Sequence, residues 1–382
     1  MATSALKVSK SVFKRPIHMN DIARSILRRG TTNTIIVRGL PGSAKTALLA
    51  QMAEMNGDKW RKAGDYYPED KYVYVYVDCN DMQPGDLISK IPVIAEGKIK
   101  EMFNDIFCLS DPRPKVYMFD EVLKILRTSK GMVTRIMHER TFGSLPMGPQ
   151  DIVFGTSNTA MDNIGDYMGK HEKTRVTEVI MLPPDATTWL AWAAKRRINP
   201  IMQAVVALNP SMLDTYITLD ADALNANPYA NHPHKPEQDG FVTLRGLEKA
   251  SYYLDDRPMI DDETTLAFVA GTIGDAATSL IQQFIHMEKE IVQPETILAD
   301  PEGAPLPTNP ICTMITLFKT PSAIKTQDDL CKMVTYVERI PSEMHQSSWA
   351  LLIMRDPKID GMAHRNAYFN KWKLRFEKYL TK

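Results

Sequence analysis

The sequence predicts an α/β chain: a parallel sheet covered by helices on both faces, followed by an all-α region. Three observations carry this expectation. Five short apolar runs, rich in β-branched or aromatic residues, alternate with helix-forming stretches up to residue 182. From residue 186 onward the runs stop and helical patterns dominate. Between the first run and the first strong helix lies a glycine-bearing loop, residues 39–46.

Taken in order, residues 1–30 carry Ile17, Met19, Ile22, Ile26 and Leu27 at helical spacing, so a short helix precedes the first strand, Thr34-Ile35-Ile36-Val37. The helix after the loop starts at Ala47-Leu48-Leu49. In residues 71–78 every residue from Tyr72 to Val77 is β-branched or aromatic; Tyr72, Tyr74 and Tyr76 alternate onto one sheet face, where they are expected to pack against a helix. A helix is expected over 84–91, a third strand over 116–120 and one long helix over 121–140. Strands follow over 151–156 and 176–182. Helices are then read over 189–197, 200–208, 244–254 and 264–291. A loop rich in Asn, Pro and Asp spans 220–240, and a proline-rich connection spans 293–310 before a last helical region.

The chain has 382 residues, 44% hydrophobic and 24% charged, the balance of a folded soluble protein. Forty-six basic and 46 acidic residues give zero net charge, which argues against a general nucleic-acid coat. Cys79, Cys108, Cys312 and Cys331 are scattered without metal spacing and read as reduced thiols of a cytoplasmic protein. No apolar stretch approaches membrane length and no signal-peptide core is visible.

Residues Gly39-Leu40-Pro41-Gly42-Ser43-Ala44-Lys45-Thr46 run from strand to helix. Backbone N–H groups of such a turn, at a helix N-terminus, cradle phosphate. Gly39, Pro41, Gly42, Ser43, Ala44 and Ala47 would form that cradle for ATP, Lys45 would reach the β/γ-phosphates, and the Thr46 hydroxyl would ligate Mg²⁺. Ala44 stands where the usual P-loop string has glycine. The strand Val116-Tyr117-Met118-Phe119 ends in Asp120-Glu121. At the carboxyl end of a parallel strand Asp120 would face the same crevice and hold Mg²⁺ through water, and Glu121 would polarise an attacking water. The blander reading is a pair of acids capping the next helix. Val153-Phe154-Gly155-Thr156-Ser157-Asn158 ends in an Asn able to hold that water near the γ-phosphate, or simply in a turn residue. Arg175 and Arg245 are candidate cations for the phosphate, against the default of surface arginines. His232 and His234 read as exposed loop residues, Met118 and Met137 as core. The run Lys195-Arg196-Arg197 reads as a helix end.

These motifs, in this order, resemble an AAA+ ATPase of the MoxR type. Members of that family commonly carry Gly-x-Pro-Gly-x-Ala-Lys-[Ser/Thr], so Ala44 fits. Asp120-Glu121 resembles the Walker B motif, and the stretch from Met137-His138-Glu139-Arg140-Thr141-Phe142-Gly143 to Asn158 resembles the run into sensor 1. Arg175 stands where the family places its arginine finger, with Arg140 and Lys173 as alternatives. Thr243-Leu244-Arg245-Gly246-Leu247-Glu248 resembles the sensor 2 helix start, with Leu244 where proline is usual. The resemblance spans roughly residues 15–290, and Pro305-Leu306-Pro307 and Tyr336-Val337-Glu338-Arg339-Ile340-Pro341 are similar to stand-alone members from bacteria and their bacteriophages.

The resemblance implies a nucleotide-binding core over 1–184, a helical lid over 185–292 and a helical extension over 293–382. It implies ATP hydrolysis with Mg²⁺, with Asn158 and Arg245 sensing the γ-phosphate within the subunit and Arg175 reaching a neighbour's site. A finger in trans implies a homo-oligomeric ring, a hexamer, remodelling or activating a protein client through a von Willebrand A-domain partner or as activator of a metal-dependent enzyme. Two other readings stay open at this point: a DNA-directed AAA+ ATPase in replication or packaging, and a slow ATP-binding assembly scaffold.

Overall fold

The computed structural model describes residues 15–59, 68–80, 82–159, 174–233, 235, 238 and 240–376. The chain forms two compact units, Met1–Pro183 and Pro184–Lys382. The expected fold class holds: a parallel sheet with helices on both faces, and a helical region after it.

In the first unit α1 (Met19–Arg29) leads into β1 (Ile35–Gly39), and α2 (Ala47–Asn56) into β2 (Val73–Asp78). A single helical turn, α3 (Pro84–Leu87), then gives way to β3 (Ile88–Val93) and β4 (Lys98–Phe103). β5 (Lys115–Asp120), α4 (Arg127–Glu139), the short β6 (Thr141–Phe142) and β7 (Leu145–Pro146), β8 (Ile152–Asn158) and β9 (Thr177–Ile180) follow. The main sheet has the order β2-β5-β8-β1-β9 and every pairing is parallel. β1 therefore sits between β8 and β9, and the loop after it opens at the carboxyl edge of the sheet.

Period-two alternation divides the strand residues between two cores. Ile35, Val37, Val116, Met118 and Phe154 pack on Ile22 and Ile26 of α1 and Leu48, Leu49 and Met52 of α2. Ile36, Tyr117, Phe119 and Val153 pack on Val133, Ile136 and Met137 of α4. Burying side chains of this size stabilises by about 1.5–3 kcal/mol each, so the sheet is a rigid platform for its loop ends. Met118 and Met137 are core, as expected.

Two expectations in this unit need correction. Residues 84–91 do not form one helix; the chain turns into the antiparallel pair β3–β4, closed by Gly97 at φ +60°. Ile88, Ile91, Val93 and Ile99 are β-branched, and Pro92 has no N–H for a continuing helix. Residues 121–140 are not one helix either. Glu121 adopts φ +53°, which breaks the path into a 3-10 turn, Val122–Lys124, before α4 begins.

The second unit is all helical: α5 (Ala186–Arg196), α6 (Pro200–Leu208), α7 (Ala221–Ala226), α8 (Leu244–Asp255), α9 (Asp262–Ile273), α10 (Asp275–Met287), α11 (Pro294–Ala299), α12 (Pro310–Lys319), α13 (Gln327–Glu338), α14 (Glu343–Arg355), α15 (Asp360–Arg365) and α16 (Ala367–Lys373). One apolar cluster runs through it from Trp189 to Phe376. The helix expected over 264–291 is broken at Gly274, whose φ is +82° and whose backbone touches Gly240 so closely that a Cβ would lie 2.9 Å from the Gly240 carbonyl. The expected loop at 220–240 contains α7, capped by Asp220, and the proline-rich connection contains α11, with Pro294 at its first turn. The basic run Lys195-Arg196-Arg197 does close a helix, and Arg197 pairs with Asp356 at 3.6 Å. Among the described residues no helix is long and apolar enough to cross a membrane.

Candidate functional site

The loop between β1 and α2 is wound by alternating backbone handedness. Gly42 has φ +69° and Ala44 φ +63°. Such alternation turns successive N–H groups toward one concavity, an anion-binding nest. Among the described residues the N–H groups of Gly42, Ala44 and Thr46 have no backbone acceptor, whereas those of Ser43 and Ala47 bond Leu40 and Ala44. Ala44 tolerates its Cβ at a left-handed position at a cost of about 1 kcal/mol. Gly39 is needed for a different reason: a Cβ there would lie 2.9 Å from Ser43 Oγ and 3.2 Å from the Lys45 side chain.

Ser43 is 4% exposed and its hydroxyl has no hydrogen-bond partner. A buried hydroxyl without a partner costs about 1–3 kcal/mol, and an acceptor placed in the loop removes that cost. Thr46 precedes α2, yet its side chain caps nothing. These observations fit a phosphate-bearing ligand: inward N–H groups, an unused buried hydroxyl and a second hydroxyl at the helix start.

Lys45 is buried, and its Nζ donates to Asn158 Oδ1 at 2.7 Å, Leu40 O at 3.0 Å and Gly39 O at 3.3 Å. Asn158 ends β8, beside Gly39 in the β1–β8 register. Two residues earlier on β8, and so on the same face of that strand, the Thr156 hydroxyl donates to Asp120 Oδ1. Tyr76 on β2 donates to the other Asp120 oxygen at 2.9 Å. β8 thus carries one link to the lysine and one to the carboxylate, and the sheet brings Lys45, Asp120 and Asn158 to one edge.

Glu121 follows in the left-handed region, where non-glycine residues are strained, and strain of this kind gathers at functional sites. Its Oε2 is buried and makes no hydrogen bond, although Lys124 Nζ lies 3.3 Å away as an ion pair. The Cys79 thiol at the end of β2 is held far above its ordinary range, first by burial, then by Asp78, Asp120 and Glu121. Several carboxylates thus gather at this edge, the field in which a divalent cation is welcome. Thr46 and Asp120 are the residues that would hold Mg²⁺.

The remaining expected residues are described within their own units. Arg175 is exposed two residues before β9, whose Thr177 pairs with Ile35 at the start of β1. It therefore sits at the far end of the sheet from the loop, roughly 15 Å or more at ~3.3 Å per residue. Arg140 caps the C-terminus of α4 near that same end, where the Thr34 hydroxyl donates to Met137 O. Both terminal nitrogens of Arg140 are buried without a hydrogen bond, and burial lowers its pKa. Lys173 lies outside the described residues. Arg245 belongs to the helical unit, exposed on the first turn of α8, which Thr243 caps through Gly246 N at 2.9 Å. His232 pairs with Asn225 Oδ1 at 3.0 Å, and His234 lies outside the described residues.

Sequence reasoning missed Arg38, Glu178, Thr156 and the second role of Tyr76. Tyr72, Tyr74 and Tyr76 do pack on the α1–α2 core, but Tyr76 also positions Asp120, and Tyr74 bonds Asp58 at 2.9 Å. Arg38 had one signal: a charged residue inside an otherwise apolar strand.

No family model matches the chain, and no curated protein does. Among solved structures, the RuvB Holliday junction branch migration motor of Thermotoga maritima shares 13% identity over 73% of this chain and 72% of its own, with a TM-score of 0.33. A Cytophaga hutchinsonii protein, described provisionally as an ATPase, shares 15% identity over 94% of this chain and 88% of its own, with a TM-score of 0.32. Likenesses of this size carry no statement about activity.

Proposed function

We propose that this protein hydrolyses ATP with Mg²⁺ as an AAA+ ATPase of MoxR type, working as a homo-oligomeric ring, a hexamer, on a protein client. The observation that carries the reading is the double link on β8: Asn158 to Lys45, and Thr156 to Asp120. It gathers Lys45, which would bind phosphate, and Asp120, which would bind the cation, at one sheet edge, beside a loop whose Gly42, Ala44 and Thr46 N–H groups have no backbone acceptor among the described residues and whose Ser43 hydroxyl is unused.

The roles follow from those positions. The loop from Gly39 to Ala47 would hold the phosphates through Gly42, Ser43, Ala44 and Thr46, with Pro41 shaping the turn, and Lys45 would exchange its loop carbonyls for phosphate oxygens. Mg²⁺ bound by Thr46 and Asp120 would neutralise developing charge on the phosphoryl oxygens. Glu121, with an oxygen not committed to any hydrogen bond, would take the proton of the attacking water. Asn158 would orient that water. Arg245, in a lid of residues 185–292, would sense the γ-phosphate, and the extension 293–382 would complete the helical region. Arg175 stands at the opposite sheet end from its own loop, which supports action on a neighbour's nucleotide. The client would be engaged through a von Willebrand A-domain protein.

The test is the hydrolysis rate of Glu121→Gln beside wild type, at concentrations where the protein assembles. We expect a loss of about 100-fold or more, with ATP still bound. Equal rates for the two proteins defeat the enzyme reading. Mixing Arg175→Ala with Lys45→Ala subunits should restore part of the activity that each lacks alone; no rescue removes Arg175 from the trans role.

A further inference from the structure

Arg38 is the residue before the phosphate loop and the last on β1 whose side chain turns to the α4 face, as Ile36 does. Its side chain is 11% exposed. Nη2 and Nε donate to Glu178 Oε1 on β9 at 2.9 and 3.3 Å. Nη1 donates to the Asn158 carbonyl on β8 at 3.2 Å. One guanidinium thus spans three adjacent strands, β9, β1 and β8.

We propose that Arg38 is a positioning residue: through the Asn158 carbonyl, and with Glu178 fixing its own orientation, it sets the Asn158 side chain toward Lys45 and the γ-phosphate. This rests on the reading of that edge as an ATP site. The argument is one of geometry. Asn158 is the last residue of its strand and pairs with Gly39 of β1. The Arg38 hydrogen bond adds a side-chain hold on its carbonyl, while the Asn158 side chain reaches Lys45 at 2.7 Å. A planar fork can serve a carboxylate and a carbonyl together; an ammonium cannot reproduce that spread. Glu178 keeps the guanidinium charge compensated where it is withdrawn from water.

The experiment measures kcat and KM for ATP, and the ratio of ATP to ADP affinity, in Arg38→Met, Arg38→Lys and Glu178→Gln, each alone and combined with Asn158→Ala. Residues that orient a reacting group through one intermediary commonly change activity by about 10–100-fold. We expect Arg38→Met to lower kcat by about tenfold or more, with KM within about twofold. The preference for ATP over ADP should shrink in parallel. Arg38→Lys should recover part of the loss, and Glu178→Gln should cost less than Arg38→Met. In the Asn158→Ala background Arg38→Met should add less than about a twofold change, because its target is gone. The same fractional loss in both backgrounds would mean that Arg38 acts as general scaffold, and the proposal fails. Unchanged kcat and an unchanged ATP/ADP ratio in Arg38→Met also overturn it. If wild type binds ATP without hydrolysing it, the hydrolase reading fails instead. The affinity ratio then decides alone: lost in Arg38→Met, it supports the positioning role; retained, it ends it. Should Arg38→Met not fold, Arg38→Lys and Glu178→Gln carry the same comparison.

Discussion

The two units start their helices in opposite ways. Among the described residues of the helical unit, nine helices open with a side-chain oxygen accepting a backbone N–H: Asp185, Asn199, Asp220, Thr243, Asp261, Asn309, Thr326, Ser342 and Asn366. Among the described residues of the α/β unit, none of the helices α1, α2 and α4 does; His18, Thr46 and Leu126 stand at the cap positions without capping. Among the described residues the left-handed non-glycine positions are distributed the other way, with Ala44, Cys108, Glu121 and Arg140 in the α/β unit and Arg197 alone in the helical one. A satisfied helix start is a stability device, worth about 1 kcal/mol. An open one, next to inward N–H groups, is a place for an anion. The contrast teaches where this chain stores stability and where it keeps bonding capacity for something else.

Thr46→Ala breaks the comparison most sharply. We expect Mg²⁺-dependent hydrolysis to fall by about 100-fold or more while the unfolding free energy moves by a few tenths of a kcal/mol, because the hydroxyl caps nothing. A stability loss of cap size would show Thr46 to be an ordinary cap. Thr326→Ala is the converse. It removes a capping box, in which Asp329 N donates to Thr326 Oγ1 at 3.1 Å and Thr326 N to Asp329 Oδ2 at 2.8 Å. It should cost about 1 kcal/mol by denaturant titration and leave ATP affinity unchanged.

Ala44→Gly should raise stability by up to about 1 kcal/mol, since glycine relieves the left-handed strain but is the more flexible residue when unfolded. Destabilisation would mean that the φ of Ala44 is not strained. The smallest effect concerns acid. His345 is buried in the helical unit, its Nε2 has no partner, and burial holds its pKa below the ordinary 6.5. Below about pH 6.5 the unfolded chain takes a proton there that the folded one refuses, so stability falls as pH drops through that value. Thermal melts between about pH 7.5 and about pH 5.5 should show a steeper decline for wild type than for His345→Leu; parallel curves would assign the acid loss to other groups.

Much of the site was legible because its parts lie at strand ends, where type and position coincide: Gly39 to Thr46, Asp120-Glu121 and Asn158 each follow an apolar run. What escaped depends on partners distant in sequence. Arg38 and Glu178 are 140 residues apart, and nothing local pairs them. Thr156 reads as one more β-branched strand residue, and only the register shows that it meets Asp120. The helix expected over 84–91 failed because Pro84-Gly85-Asp86 does start a helical turn, while Pro92 and Gly97 dictate a hairpin one step later. In the helical unit the caps were visible as Asp, Asn, Ser and Thr, but the break at Gly274 depends on contact with Gly240, which no periodicity contains.

Hydrogen exchange with and without saturating ATP and Mg²⁺ tests the central claim most directly. The N–H groups of Gly42, Ala44 and Thr46, which have no backbone acceptor among the described residues, should become protected, together with the strand ends at 120–121 and 156–158, while the capped helices over 310–376 keep their exchange unchanged. Exchange at residues 39–48 that does not respond to the nucleotide would contradict the account.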